Sequence, residues 1–216
     1  MSSARVAPHG GGEARFGTNP LTVGMPRREG PPILLDFASS AIAVGKVRVA
    51  YNRKGQVPPG ALIDHEGTPT TDPAVMYEEP LGSLLTAAGH KGYALAMVCD
   101  LLGSALFGGA TPVPSRLRPP GIYNNMLAIV FDPSRLGAAA HFEQEAREFI
   151  EYVQSARRTS DAPIAIPGDA ERRYRAERAQ ALPVDTGTLR TLDEAARATN
   201  ELRGATLSPA SELVER

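Results

Sequence analysis

The sequence predicts a mixed α/β fold, and three observations carry this prediction. Short apolar runs bounded by proline and glycine, at residues 21–26, 33–36 and 126–131, are typical of buried strands. Apolar side chains recur at helical spacing along residues 142–153, as in an amphipathic helix. A longer apolar run, residues 93–110, contains a charged side chain and several glycines, and it indicates a buried helix rather than a membrane span.

The first elements are two strands and a helix. The strands at 21–26 and 33–36 are expected to be neighbours, and the second leads directly into a helix with Ser39 or Ser40 as its N-cap. Residues 52–80 are rich in proline and predict an extended connection with little regular structure. Connections of this length are usually functional or form interfaces.

The rest of the chain is predicted to be mainly helical. The apolar helix ends at Gly108-Gly109, and a proline-rich loop then leads to a third buried strand that ends at Asp132-Pro133. Residues 204–216 form a frayed tail. The predicted helices of this part cover residues 91–107, 142–153, 169–182 and 188–202.

Composition limits the kinds of partner and compartment. The 216 residues are 42% hydrophobic and 22% charged, and 23 basic side chains nearly balance 24 acidic ones. This balance argues against disorder and against nucleic acid as a partner. No export signal or membrane span is recognised, so no membrane partner is expected. The single cysteine agrees with a reducing cytoplasm.

The familiar chemical motifs are absent from the sequence. No G-x-G-x-x-G follows a strand, and Gly45-Lys46 is followed by Val47, which cannot supply the hydroxyl of a phosphate-binding loop. The four histidines are dispersed without metal-ligand spacing, so no metal site is predicted. No G-x-S-x-G elbow is present either, which argues against a serine hydrolase.

Two polar positions at the ends of apolar elements are candidates for function. Asp36 closes the second strand, where a carboxylate can accept hydrogen bonds from ribose hydroxyls and the following helix N-terminus can bind phosphate. A helix-capping role is the alternative for Asp36. His90 and Lys91 open the apolar helix, where a cation opposes the helix dipole, and ordinary surface positions are the alternative for this pair.

Five motifs in order along the chain resemble those of the malate/L-lactate dehydrogenase family of nicotinamide-dependent 2-hydroxyacid oxidoreductases. The stretches 57–60 and 80–86 most resemble the bacterial hydroxycarboxylate dehydrogenases of that family. The five motifs are Arg15-Phe-Gly-Thr-Asn-Pro20, Leu35-Asp-Phe-Ala-Ser-Ser40 with Gly45-Lys46, Gly67-Thr-Pro-Thr-Thr-Asp-Pro73, His90-Lys-Gly-Tyr-Ala-Leu95 and Pro167-Gly168.

The resemblance implies a fold, a cofactor and partners. The fold would be a sulfolactate/malate dehydrogenase-like, non-Rossmann cofactor-binding sheet with flanking helices, followed by C-terminal helices. The cofactor would be NAD or NADP, the substrate a small 2-hydroxy or 2-oxo acid, and the assembly a homodimer. The cofactor-binding residues implied by the family are Leu34, Leu35, Asp36, Phe37, Ala38, His90, Lys91, Asn124, Gly168, Asp169, Ala170 and Glu171.

The sequence also departs from the family's pattern. Family members carry a region before the Gly-Thr-Asn-Pro motif that supplies the histidine acting as general acid and base, and none of the four histidines here has that position. Losing a general acid typically slows such a reaction by about 10²–10⁴-fold. Three hypotheses follow: a hydride-transferring 2-hydroxyacid dehydrogenase, a truncated, catalytically silent remnant that only binds dinucleotide or dimerises, or a structural interaction module that reuses the fold.

The domain division expected from these patterns has three parts. Residues 5–135 would form the NAD(P)-binding sheet-and-helix domain, truncated at its N-terminal side. Residues 136–203 would form a helical part, and residues 204–216 a flexible tail.

Overall fold

The computed structural model describes residues 4–114 and 124–212, and it contains two small antiparallel sheets. The first sheet pairs β1 with β2, and the second places β3 between β4 and β5. The strands are β1 (Leu21–Met25), β2 (Ile33–Phe37), β3 (Leu62–Ile63), β4 (Pro69–Thr70) and β5 (Ser83–Leu84).

Five α-helices follow or separate these strands, and no helix among the described residues is both long and apolar enough to cross a membrane. Short 3-10 turns occupy Pro73–Met76, Ala105–Phe107 and Ala210–Glu212. The helices are α1 (Val44–Asn52), α2 (His90–Gly103), α3 (Ala139–Gln154), α4 (Asp169–Glu177) and α5 (Thr186–Arg203).

The first two strands lie where the sequence predicts them and are neighbours, as expected. They pair antiparallel over five positions, with Thr22 opposite Asp36. The prediction that they are buried is wrong for this chain: Val23, Leu35 and Phe37 are more than a third exposed. Among the described residues this sheet has two strands, so both outer edges of the hairpin lack a neighbouring strand.

The helix after β2 begins later than predicted. It starts at Val44, its N-cap is Ala43, and no side chain caps it. Ser39 and Ser40 are buried and make other bonds: the Ser39 hydroxyl donates to the Thr18 carbonyl and the Ser40 hydroxyl to the Ile42 carbonyl. Asp36 therefore does not cap α1, and the helix-capping alternative for it is wrong.

Residues 52–86 contain most of the hydrophobic core. They have little regular structure, as predicted, yet they supply Val57, Ala61, Leu62, Met76 and Leu84 to one buried cluster. The N-terminal strand-like segment completes it, since the Ala7 amide donates to the Leu84 carbonyl at 2.9 Å. The apolar side chains of this connection thus pack against each other in the core.

Two expectations of burial are wrong in the middle of the chain. Residues 126–131, predicted as a third buried strand, have no regular secondary structure and belong to no sheet among the described residues, and Val130 is 91% exposed. On α2 only Gly92 and Ala96 are buried, so the helix is half-exposed. α2 ends at Gly103, earlier than the predicted stop at Gly108-Gly109, and the left-handed Gly108 ends the 3-10 turn that follows.

The C-terminal helices are confirmed with small changes at their ends. The predicted helix 169–182 is shorter and ends at Glu177, while α3 and α5 extend beyond their predicted cores. After Gly204 the described residues fold back along α5: the Leu207 amide donates to Asn200 and the Ser211 hydroxyl to Asp193. The proposed loop at 112–120 lies largely in residues 115–123, outside the described residues.

Candidate functional site

A surface cleft of about 350 Å³ lies between β2 and the turn that begins α4. Its volume is near the lower end of the range of roughly 300–1,000 Å³ found for small-molecule sites. It is lined by Leu34, Leu35, Asp36, Ala165, Ile166, Pro167, Gly168, Ala170 and Glu171. The structure therefore brings together two segments that are more than 120 residues apart in sequence.

A glycine permits the close approach of these two segments. Gly168 has φ +99°, and a Cβ at this position would lie 3.0 Å from the Leu34 Cβ and 2.6 Å from Arg172 Nη1. The Leu34 amide donates to the Pro167 carbonyl at 3.0 Å, which joins the turn to the strand. A side chain at 168 would disturb both sides of the cleft.

Arg172 and Asp169 hold this turn in position. The Asp169 carboxylate accepts the Ile166 amide at 2.7 Å and Arg172 Nη2 at 2.6 Å, while Arg172 Nη1 donates to the Pro32 carbonyl at 3.0 Å. The backbone bond from Ile166, with help from Arg172, lowers the pKa of Asp169 below its ordinary value. Asp169 thus supports the turn, whereas its neighbours Ala170 and Glu171 face the cleft.

Asp36 lies at the surface of the cleft and has one partner across the hairpin. The Thr22 hydroxyl donates to Asp36 Oδ1 at 2.9 Å. This bond fixes the direction of the carboxylate and leaves acceptor positions on its oxygens for a ligand, because an ionised carboxylate can accept about four hydrogen bonds.

The chain leaving β2 runs past the N-terminus of α2. The Ala87 amide donates to the Ser39 carbonyl at 2.8 Å, and a Cβ on Gly92 would lie 2.7 Å from that same oxygen. His90 and Lys91 occupy the first positions of α2, and the His90 ring lies 6.1 Å from that of His9. The segment 37–39 therefore links the cleft to the His90-Lys91 end of α2.

The predicted site residues are thus brought together in part. Six line the cleft: Leu34, Leu35, Asp36, Gly168, Ala170 and Glu171. Phe37 ends β2 and Ala38 follows it, Asp169 supports the turn, and His90 and Lys91 begin α2. Asn124 is exposed and lies outside the cleft lining. Sequence reasoning missed Ala165 and Ile166, whose only signal is a small apolar segment just before Pro167-Gly168.

Asn19 and Asp100 fasten the first family-like motif to α2. The Asn19 amide donates to the Ala96 carbonyl and to Asp100 Oδ2, both at 2.9 Å. Burial raises the pKa of Asp100, and the Asn19 bond opposes that rise. The Thr18 carbonyl next to Asn19 accepts both the amide and the hydroxyl of Ser39. These bonds hold the end of β2 at a set position relative to α2.

A second cleft, of about 330 Å³, is lined by residues of both charge signs: Pro8, Gly11, Gly12, Glu13, Arg15, His65 and Glu66. Glu13 and Arg15 pair with each other there. Within residues 4–114 and 124–212, no three His, Cys, Asp or Glu side chains are grouped so that they could hold a metal ion. None of the motif residues in the implied cofactor set lines this second cleft.

The sequence model of the malate/L-lactate dehydrogenase family matches residues 1–193 of the chain. The protein therefore belongs to this family, as its motifs indicate, and its own sequence has no G-x-G-x-x-G fingerprint after a predicted strand.

Among individual proteins, the chain is 48% identical to hydroxycarboxylate dehydrogenase B of Escherichia coli K12 over 195 residues, 89% of this chain and 54% of that protein. The structure of a putative malate/lactate dehydrogenase from E. coli matches 98% of this chain and 58% of its own, at 40% identity and a TM-score of 0.80. The chain spans about half the length of the curated relatives it matches.

The fold is shared more widely than the sequence. Sulfolactate dehydrogenase of Methanocaldococcus jannaschii matches 93% of this chain and 57% of its own, with a TM-score of 0.70 at 26% identity. The predicted sulfolactate/malate dehydrogenase-like α/β fold is confirmed by this likeness. The resemblance of stretches 57–60 and 80–86 to bacterial hydroxycarboxylate dehydrogenases also agrees with the 48% identity.

Proposed function

We propose that the protein is a nicotinamide-dependent oxidoreductase that interconverts 2-hydroxyacids and 2-oxoacids, and that the cleft between β2 and the Gly168 turn holds part of the cofactor. The observation that carries this proposal is the convergence on one cleft of six of the twelve residues in the implied cofactor-binding set. Identity of 48% over 89% of the chain favours this function over a silent remnant.

The residues of the cleft fit half of a dinucleotide. Leu34, Ile166 and Pro167 offer apolar surface to a base, and the carboxylates of Asp36 and Glu171 can accept hydrogen bonds from ribose hydroxyls. The small volume suits one nucleoside rather than the whole molecule. At the far end of the segment 37–39, Lys91 offers positive charge for the phosphates and His90 a ring nitrogen for a hydrogen bond.

When bound, the nicotinamide supplies the hydride that reduces the carbonyl carbon of the 2-oxoacid. The chain's own part is to bind and orient. Asp36 holds a ribose hydroxyl, the Asn19–Asp100 and Ser39–Thr18 bonds keep β2 at a set position against α2, and Lys91 balances anionic charge. A rigid arrangement of this kind contributes to rate by fixing the reacting groups in place.

A binding experiment on Asp36 tests the cofactor site. Replacing Asp36 with alanine removes a charged acceptor, which is worth about 1.5–3 kcal/mol and corresponds to roughly a tenfold or greater loss of NADH affinity. Thermal shift and calorimetric titration with NADH measure it. Asp161→Ala, a change to an exposed carboxylate outside the cleft, is the control. An unchanged NADH affinity in Asp36→Ala would remove Asp36 from the site.

Turnover tests the reaction class. The purified chain is mixed with NADH and phenylpyruvate, and the nicotinamide absorbance is followed beside a control with 3-phenylpropanoate, which has no keto group. We expect oxidation of NADH that requires the 2-oxoacid, because hydride transfer needs a keto group as its acceptor. Binding of NADH without any such oxidation is the result that the silent-remnant hypothesis requires.

We also propose that the protein works as a homodimer in the cytoplasm. Support for the dimer is an apolar stripe on α2 and the following turn that the described residues leave exposed, made of Val98, Leu101, Leu102, Leu106 and Phe107. Such contiguous exposed apolar side chains are typical of interfaces. The single cysteine supports a reducing compartment.

The dimer proposal predicts a change in sedimentation. Leu101→Asp introduces a charge into the centre of the stripe and is expected to convert a dimer into a monomer in sedimentation velocity runs. Leu202→Asp alters an even more exposed leucine, at the end of α5, and is expected to leave the dimer intact. A wild-type chain that sediments as a monomer at all concentrations tested would contradict the proposal.

A further inference from the structure

We infer that the cleft binds the adenosine half of the cofactor, and that Glu171 makes it selective for the form without a 2′-phosphate. NAD(H) would then bind more tightly than NADP(H). This inference rests on the cofactor role proposed above. It concerns the one chemical difference between the two cofactors, a phosphate on the 2′ oxygen of the adenosine ribose.

The charge around the cleft is negative. Of the nine residues that line it, two are carboxylates, Asp36 and Glu171, and the other seven are apolar residues or glycine. No lysine, arginine or histidine is among these lining residues. A phosphate placed in the cleft would therefore meet like charge and no lining cation.

The nearby arginines are directed elsewhere. Arg172 donates to Asp169 through Nη2 and to the Pro32 carbonyl through Nη1. Arg27 donates through Nε to the Pro31 carbonyl. These bonds orient both guanidinium groups toward the backbone of the hairpin loop. Neither guanidinium lines the cleft, so a 2′-phosphate inside it would lie beside the Asp36 and Glu171 carboxylates with no lining cation to pair with.

Glu171 is the carboxylate best placed to receive a ribose hydroxyl. Asp169, on the same turn of α4, already accepts bonds from Ile166 and Arg172, and Asp36 accepts one from Thr22. Among the hydrogen bonds and ion pairs of the described residues, none engages the Glu171 side chain, which is exposed at the cleft. Its oxygens can accept a hydrogen bond from the 2′-hydroxyl, which NAD(H) has and NADP(H) lacks.

The same charge argument places the adenosine half, rather than the nicotinamide half, in this cleft. The proposed substrate is an anion, and it must lie beside the nicotinamide for hydride transfer. Two carboxylates at that position would repel it. The pyrophosphate is excluded from the cleft for the same reason. The adenosine is the half of the cofactor that needs neither a neighbouring anion nor a cation.

Calorimetric titrations with paired ligands test the inference. NADH is compared with NADPH, and adenosine 5′-monophosphate with adenosine 2′,5′-bisphosphate, since each pair differs only in the 2′-phosphate. We expect the wild-type chain to bind the unphosphorylated member at least about tenfold more tightly. Glu171→Gln should reduce this ratio severalfold, and Glu171→Arg should bring it to unity or reverse it. Glu177→Gln, at the far end of α4, is the control and should keep the wild-type ratio.

The outcomes separate the inference from the proposed function. Equal or tighter binding of the 2′-phosphorylated ligands by the wild-type chain, or a ratio that Glu171→Gln leaves unchanged, overturns the inference alone. A loss of affinity for nicotinamide mononucleotide but not for adenosine monophosphate in Glu171→Gln also overturns it. If neither NADH nor NADPH binds, the cofactor site itself is wrong, and the inference fails with it.

Discussion

Replacing Gly168 with alanine is expected to weaken NADH binding by roughly tenfold or more. The residue has φ +99°, which side chains rarely adopt, and its new Cβ would meet the Leu34 Cβ at 3.0 Å and Arg172 Nη1 at 2.6 Å. Because backbone strain and these close contacts act at the same place, the turn must move away from β2. The cleft would then open, and the bond between the Leu34 amide and the Pro167 carbonyl would lengthen.

Gly137→Ala is the matched control for this change. Gly137 also has a positive φ, +67°, but a Cβ there would meet no atom within 4 Å. Both variants should lose some stability from the left-handed conformation, by about 1 kcal/mol, whereas only Gly168→Ala should lose NADH affinity. Titration of both variants and their melting temperatures separate the two effects. Equal NADH affinity in the two variants would show that close approach at Gly168 does not shape the site.

Truncation of Leu62 is expected to destabilise the protein by about 2–5 kcal/mol, because removing a large buried side chain loses its transfer energy and leaves a cavity. Leu62 is fully buried in the centre of the three-stranded sheet, between the strands that contain Pro69–Thr70 and Ser83–Leu84. Unfolding in urea measures the change in the free energy of unfolding of Leu62→Ala.

Val130→Ala is the comparison that makes this experiment informative. The sequence predicts a buried strand at residues 126–131. On that basis alone, Val130→Ala should also lower the free energy of unfolding clearly. Val130 is 91% exposed in the structure, and exposed substitutions usually change stability by less than about 0.5 kcal/mol. Similar large losses in both variants would mean that the segment 126–131 packs into a core after all.

The hairpin and the C-terminal helices could be predicted because their signals are local. Proline and glycine bound the two strands, and the apolar positions of α3 repeat at helical spacing around Ile150. The prediction of a third strand at residues 126–131 failed because an apolar run indicates burial but does not specify a neighbouring strand for its backbone hydrogen bonds. The predicted start of α1 was wrong because the hydroxyls of Ser39 and Ser40 donate to the carbonyls of Thr18 and Ile42 instead of capping the helix.

The candidate site could be predicted in its residues but not in its geometry. The resemblance named Asp36 and Glu171, yet nothing in the spacing shows that segments more than 120 residues apart form one cleft. That closeness depends on the Leu34–Pro167 bond and on a glycine where a Cβ would collide. Ala165 and Ile166 escaped notice because small apolar residues before a turn are common in any loop.

The central claim is that the cleft between β2 and the α4 turn binds the cofactor, and hydrogen exchange in the presence of NADH tests it most directly. We predict that NADH slows amide exchange in residues 33–38 and 165–171, the segments that line the cleft and are joined through the Leu34 amide. Unchanged exchange in both segments, or slowing confined to residues 8–15 and 65–66 around the second cleft, would contradict the claim.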